Sequence, residues 1–451
     1  MKKLSLMMAL TALWLAACGA DGPLPGGADA GLGADAMTAD GAPSPDTSPG
    51  GTCGIQPRFP SCSSTSTTPS TRGEITAFLA KNAVPLTCTD ARGQRRWELD
   101  ALAQQLSAAR LFIFGEVHGA NEPGATSYAL FEHLLRRKLV DALVLEVPMD
   151  FTDAYARFVS TGDTSALSYY YLYTVSPNDF RRGFAERLRA LKLQGVSVPR
   201  AHGVDLPWRL AWVNEQIEAL AKDKPSSVRK VLVDALPAPM EYLDKGIDLA
   251  YEAKARAYAR KVWDNAATVC APLTATSCAR VKHLARALWL GAFMQSPAYA
   301  KASLQQMNEW KARREELMYH NYQRVFALGY KRAYAHMGAS HAKKKTGSVA
   351  RRLQDDLPAT KGKVLTSMPV YGDGSKVAYG GSVFPLYTYP PIVGQALAKK
   401  GGPLLLSTRL PGEGCVGSPL AAPGLQGLVG TAGKYYDFYV WFQKLTPATT
   451  N

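Results

Sequence analysis

Long apolar runs are nearly missing from this chain of 451 residues. Only Leu4 to Leu15 qualifies, and it is too short for a permanent membrane helix. No Cys-x-x-Cys pair occurs, which speaks against a thiolate zinc site. No Gly-x-Ser-x-Gly elbow occurs, which disfavours an ordinary serine hydrolase. A His-Glu-x-x-His zinc helix and a Gly-Lys-Ser/Thr phosphate loop are also missing, so nothing points to a nucleotide cofactor. Acids are scarce beside bases, 37 against 52, for a formal net charge of +15. The bases are scattered, as in Arg136-Arg137-Lys138, Arg181-Arg182, Lys343-Lys344-Lys345 and Arg351-Arg352. Scattered charge reads as solvated surface, although it could also meet anionic lipid or polysaccharide. No nucleic-acid-binding motif accompanies it, and no nucleic-acid partner is expected.

What is present begins with an export signal. Lys2 and Lys3 precede the apolar run, and Leu15-Ala16-Ala17-Cys18 follows it. Small residues before a cysteine at this position fit a lipobox, so residues 1–17 read as a signal peptide and Cys18 as the lipidation site. The expected location is the cell envelope, with the bilayer as partner through acylated Cys18. An ordinary cleavage site beside an incidental cysteine is the plainer alternative. Cys53, Cys62, Cys88, Cys270, Cys278 and Cys415 remain, an even set that suits disulfides in an exported chain. Cys270 with Cys278 and Cys53 with Cys62 are local options, but spacing does not fix the pairing.

From Cys18 to about residue 72, Ala, Gly, Asp, Pro, Ser and Thr dominate. Such a segment buries too little apolar surface to offset its ordering entropy, and reads as a disordered tether. Residues 73–451 read as one α/β domain with a mainly parallel sheet and a largely helical insertion at 209–300. Expected strands are Arg110 to Gly115, Ala142 to Glu146, one ending at His202 to Asp205, Arg332 to His336, Val364 to Val370 and Tyr435 to Phe442. Helices are expected at Arg95 to Ala109, Thr126 to Lys138, about 150–161, 177–194 and 303–328.

Four of these strands end in ionisable residues: Glu116 and His118, Glu146, Asp205, and His336 with His341. Ligands of parallel α/β sheets bind outside the carboxyl ends of the strands, so these residues form the candidate site. Glu116 and His118 lie two apart and point the same way on extended backbone, which suits a base with its orienting carboxylate or half a metal site. A polar loop in which His118 caps the next helix is the bland reading. Gly115 and Gly119 would admit close backbone approach to a ligand. Glu146 ends an apolar strand and needs a partner there, either a site group or a structural Arg. Asp205 could serve the site or cap a helix. His341, on a Gly-x-x-His turn, is ranked above His336, which could be a core histidine. Arg314 shares a helix face with Met318 and Asn321, and could hold an anionic group or pair with a site carboxylate.

Phe114-Gly115-Glu116-Val117-His118-Gly119, Leu145-Glu146-Val147-Pro148, Tyr155-x-x-Phe158-Val159-Ser160-Thr161-Gly162 and Gly203-Val204-Asp205 together resemble the erythromycin esterase-like family. Arg314-Glu315-x-x-Met318-x-x-Asn321 and the closing Tyr436 to Pro447 segment extend the resemblance over most of residues 100–447. The wider group includes Tiki/TraB proteins and ChaN-like haem-binding lipoproteins. The single residue between Glu116 and His118, and the Gly338-x-x-His341 turn, look more like the Tiki/TraB and ChaN branches. The resemblance implies an α/β hydrolase of a small-molecule or peptide substrate, an ester or amide. His118 would activate water, Glu116 and Glu146 would orient it, and His341 would complete the centre. Asp205, Arg314 and His336 would bind substrate, and Glu116, His118 and His341 are the candidate ligands of a divalent metal. The alternative it implies is a non-catalytic ligand-binding lipoprotein of the ChaN type. For haem, Tyr169, Tyr170, Tyr171 and Tyr173 are the candidate phenolate ligands, unless that aromatic stripe is core.

Overall fold

The computed structural model describes residues 83–90, 94–165, 180–238, 247–372, 374–379, 382–386, 403–407 and 435–447, with a few single positions beside them. It opens with β1 (Val84–Pro85), β2 (Thr87–Thr89), β3 (Arg95–Trp97) and α1 (Asp100–Leu106). An alternating stretch follows: β4 (Leu111–Glu116), α2 (Asn121–Arg136), β5 (Ala142–Pro148), α3 (Phe151–Thr161), α4 (Phe180–Leu193) and β6 (Ala201–Asp205). Helices then dominate, as α5 (Leu210–Ala221), α6 (Ser226–Leu232), α7 (Leu249–Asp264), α8 (Ala266–Cys270), α9 (Ala275–Met294), α10 (Pro297–Ala300) and α11 (Leu304–Ala327). The chain returns to the sheet with β7 (Ala333–Gly338), α12 (Ala339–Ala342), α13 (Val349–Asp355), β8 (Val364–Tyr371), β9 (Lys376–Tyr379), β10 (Ser382–Pro385), β11 (Leu404–Ser407) and β12 (Phe438–Phe442).

The expected α/β fold with a mainly parallel sheet is present. Eight strands run in the order β1-β11-β12-β8-β4-β7-β5-β6. From β12 to β6 every neighbouring pair is parallel, and β1 and β11 add an antiparallel edge. Period-two side chains divide the central strands between two faces. Leu111 and Ile113 pack with Met318, Tyr322, Val349 and Leu353 on one face. Phe112 and Phe114 pack with Leu130, Phe131 and Phe184 on the other. Strands buried on both faces need near-continuous apolar sequence, and Leu-Phe-Ile-Phe and Ala-Leu-Val-Leu supply it. The helices between β6 and β7 have their own core, in which Val213, Tyr258, Val262, Leu284 and Leu288 meet Trp310 and Leu317 of α11. Thus α11 packs its first half on the helical layer and its second half on the sheet.

One expected helix is corrected. Arg95 to Trp97 is a strand, paired antiparallel with Thr87 to Thr89, and helix begins only at Asp100. Asp90 holds this hairpin by accepting from the backbone of Arg92 and Gln94 and from the Arg96 guanidinium. Cys270 and Cys278 form a disulfide as the short spacing allowed, and Cys88 is also disulfide-bonded. Cys18, Cys53, Cys62, Cys415 and the tyrosines at 169–171 and 173 lie outside the described residues.

Candidate functional site

The candidate residues gather at the carboxyl ends of β4, β7, β5 and β6, four neighbours in the sheet. They form two hydrogen-bonded groups, one on each face, which meet at Gly338.

The first group centres on Glu116, 5% exposed at the end of β4. Its Oε1 lies 2.6 Å from His118 Nδ1 and its Oε2 lies 2.6 Å from His336 Nε2. Burial would raise the Glu116 pKa, but the His336 and His118 imidazoles outweigh it and bring the group down to about 2. Glu116 is therefore a carboxylate at neutral pH; His336 Nε2 donates to its Oε2, and His118 Nδ1 stands against its Oε1 as an ion-pair contact. His336 is fully buried, stacked at 5.9 Å on Phe114. Its Nδ1 lies 2.7 Å from Ser127 Oγ, which in turn lies 2.7 Å from the Tyr334 hydroxyl. The His118 side chain is 17% exposed, against 4% for Glu116 and 0% for His336. Of the linked groups on this face, the imidazole of His118 is the one that reaches towards solvent.

The second group centres on Arg314 of α11. Its Nε and Nη2 donate to the two Asp205 oxygens at 2.8 and 2.7 Å, a bidentate fork that suits guanidinium and not ammonium. Nη2 also donates to Glu146 Oε1 at 2.8 Å. Glu146 Oε2 accepts the backbone N–H of Gly338 at 2.6 Å. His341, on α12, places Nε2 3.1 Å from Glu146 Oε1 and Nδ1 2.5 Å from Glu315 Oε1. Burial and the Arg314 charge favour neutral His341, but two carboxylates prevail and push it up to about 10. Glu146 is held well below the usual carboxylate range, since His341, Arg314 and His118 overcome its burial.

Gly338 joins the groups. A Cβ there would stand 2.9 Å from His118 Nε2 and 3.2 Å from Glu146 Oε2. A side chain would wedge the His118 imidazole from the Glu146 carboxylate, so glycine sits here for close approach, not for conformation: its φ is −54°. Gly119 does need glycine conformationally, at φ +79°. Gly115 has a different purpose from the one expected. Its Cβ space is taken by the Ser367 carbonyl of β8, so it serves strand packing and not ligand approach.

All the candidate residues are thus brought together: Glu116, His118 and His336 on one face, Glu146, Asp205, Arg314 and His341 on the other. The bland alternatives for two of them do not hold. The residue before α2 is Ala120, and His118 bonds Glu116 instead of capping. Asp205 pairs with Arg314, while Asp150 accepts from the backbone of Trp208 and Arg209 before α5. His336 and His341 each face one carboxylate, at 2.6 Å from Glu116 and 3.1 Å from Glu146, and His336 is at the same time a fully buried core histidine. The proposed metal set is not assembled as expected. Among the described residues no group of three His, Cys, Asp or Glu is placed to hold a metal ion. Glu116 and His118 turn their facing atoms on each other, and His341 spends Nδ1 on Glu315 while its Nε2 lies 3.1 Å from both Glu146 Oε1 and Arg314 Nη1.

Sequence reasoning missed Glu315, Ser127, Tyr334 and Tyr436. Glu315 sits beside Arg314 in the motif, but an Arg-Glu pair on a helix looks like surface charge. Its Oε2 accepts the N–H of Val349 at the start of α13, which fixes it against His341. The Tyr436 hydroxyl donates to the Ala339 carbonyl at 2.7 Å and steadies α12. The closing segment also grips the loop after His118: Ala120 bridges Pro447, and Glu122 accepts from the backbone and hydroxyl of Thr446.

No protein-family model and no curated protein matches this sequence. Solved structures do share its fold. A Bacillus cereus protein is 14% identical with a TM-score of 0.57, covering 85% of this chain and all of its own. A succinoglycan biosynthesis protein is 13% identical with a TM-score of 0.55, covering 84% of this chain and 99% of its own. A histidine-to-asparagine mutant of an erythromycin esterase, in its open conformation, is 11% identical with a TM-score of 0.54, covering 78% of this chain and 95% of its own. At these identities the likeness is one of fold.

Proposed function

We propose that this chain is a hydrolase of an ester or amide, exported and anchored through Cys18, with His118 as its general base. One observation carries the reading: His118 Nδ1 is committed to the Glu116 carboxylate at 2.6 Å while the same imidazole reaches the surface of a buried, charged strand-end cluster. With Nδ1 turned to Glu116, the proton-accepting lone pair is on Nε2, which is itself buried beside Gly338 and Glu146, so a catalytic water has to be admitted there. Water loses a proton to Nε2 as its oxygen bonds the substrate carbonyl carbon. The carbon–oxygen or carbon–nitrogen bond of the substrate then breaks, and the same proton passes to the leaving group. The Glu116 carboxylate stabilises the imidazolium formed in between, as a buried acid does beside any histidine base. The fold shared with an erythromycin esterase supports the reaction class.

The test is hydrolysis of a panel of esters and peptides by the wild type and by His118→Ala and His118→Gln. Both variants are expected to lose at least about a hundredfold in kcat while keeping the wild-type far-UV spectrum and melting curve, the scale of a lost general base. Full activity in His118→Ala would overturn the assignment.

A further inference from the structure

We propose that the far end of α11 carries a second, separate site for a hydroxyl-bearing oxyanion of the hydrogen phosphate or phosphomonoester class, built by Arg280, His283 and Arg324. Arg324 lies ten residues beyond Arg314, about 15 Å further along the same helix at 1.5 Å per residue. It is therefore distinct from the strand-end cluster.

The floor is His283 on α9, 7% exposed. Its Nε2 donates to Asn321 Oδ1 at 2.9 Å. The direction is fixed, because the Asn321 amide nitrogen donates to the Val204 carbonyl at 2.9 Å and so Oδ1 must face the ring. Nδ1 is the other ring nitrogen, and it is buried with no hydrogen-bond partner. One turn earlier on the same helix face is Arg280, half-buried, with its guanidinium 5.8 Å over the Trp212 ring. Arg280 Nη1 is likewise buried without a partner. On α11, His320 stands edge-on to His283 at 5.9 Å, and Arg324 follows one turn later, exposed at the mouth. The carboxylate near this cluster, Glu316, is already engaged by Arg286 at 2.7 Å and by His320 at 3.7 Å. No carboxylate among the described residues pairs with Arg280 or Arg324.

A buried guanidinium without a counter-ion is costly, as is a buried ring nitrogen without a donor. The two deficits are complementary in kind. Arg280 needs an acceptor and His283 Nδ1 needs a donor, because burial and the Arg280 and Arg324 charges keep its ring neutral. Sulfate and carboxylates at neutral pH offer acceptors alone. Hydrogen phosphate and a singly protonated phosphomonoester offer oxygens for Arg280 and Arg324 together with one P–O–H for Nδ1. The depth gradient from exposed Arg324 and half-exposed His320 to buried His283 provides entry from solvent.

Titration calorimetry on the full chain at about pH 6, where a phosphomonoester still keeps much of its second proton, tests this with inorganic phosphate, phenyl phosphate and sulfate. Saturable phosphate binding is expected, with sulfate at least tenfold weaker. Binding of phenyl phosphate as well assigns a monoester, and binding of inorganic phosphate alone assigns the free ion. Arg280→Met is expected to abolish binding. Arg324→Gln, at an exposed position, is expected to weaken it several-fold. Three results would each overturn the proposal: no phosphate binding by the wild type at tens of millimolar, equal binding of sulfate, or binding unaffected by Arg324→Gln. So would a crystal structure at saturating phosphate showing only a water between Arg280 Nη1 and His283 Nδ1.

Discussion

Glu116 Oε2 and His336 Nε2 meet at 2.6 Å at the end of a fully buried strand pair, with no exposed surface on the histidine. The contact turns a costly buried carboxylate into a fixed acceptor, and its consequence is measurable as stability. The folded-state pKa of Glu116 is about 2, below the ordinary 4.5. A depressed acid contributes stability that is fully present above 4.5 and is lost as pH falls through 2. The contribution is about 3 kcal/mol at neutral pH, from 1.36 kcal/mol per unit. His336→Leu leaves the carboxylate with a missing donor and is expected to cost about 3 kcal/mol in urea denaturation at pH 7. Its deficit relative to wild type should shrink towards pH 2, and a deficit constant between pH 7 and pH 2.5 would contradict the argument.

His341 has the opposite sign. Its folded pKa, about 10, is raised above 6.5 by Glu146 and Glu315 against burial and Arg314. The stability it adds is fully present below 6.5 and is lost as pH rises through 10. The stability gap between wild type and His341→Gln should therefore be largest near pH 6 and narrow by pH 10. Glu315→Gln should move the histidine titration to lower pH, read by proton NMR of the ring.

Gly338→Ala separates site geometry from folding. The backbone at φ −54° and ψ 140° accepts alanine. The added methyl nevertheless stands 2.9 Å from His118 Nε2 and must displace the ring. Hydrolysis by a responsive substrate is expected to fall more than tenfold, with a stability change of about 1 kcal/mol or less. Wild-type kcat/KM in this variant would show that Nε2 does not act where it is placed.

Arg314→Lys tests the fork. A lysine keeps the charge but cannot donate in parallel to both Asp205 oxygens while reaching Glu146. The expected loss is about 2–4 kcal/mol, close to that of Arg314→Met, because Glu146 is buried and Asp205 nearly so. Thermal denaturation of both variants decides: a lysine variant as stable as wild type would mean that charge alone suffices.

The acids and imidazoles near the strand ends were legible because apolar runs such as Ala142 to Pro148 are interrupted by an ionisable residue, Glu146, and packing gives such residues no apolar role. The i, i+2 spacing of Glu116 and His118 was enough to predict that they face the same way, and they touch. The helix expected over Arg95 to Ala109 was misread because its charged, aromatic start reads equally as a strand, and the partner that decides it, Thr87 to Thr89, is a short strand earlier in the chain that the local pattern does not weigh.

What lies beyond the sequence is strand order. Glu116 and Glu146 point to opposite faces of the sheet, and no spacing relates them. They become one site because β7 inserts between β4 and β5, so that His336 reaches one carboxylate and the Gly338 amide reaches the other. Ser127, Tyr334 and Glu315 enter on helices and strands whose facing depends on that order. The segment Phe114 to Gly119, by itself, determined that a carboxylate and an imidazole would sit together at a strand end. Which second histidine would anchor that carboxylate, and which cations would hold its counterpart across the sheet, was decided by tertiary structure. The reason is physical: side-chain direction is a local property of the backbone, whereas adjacency of strands is set by how the whole chain buries its two apolar faces.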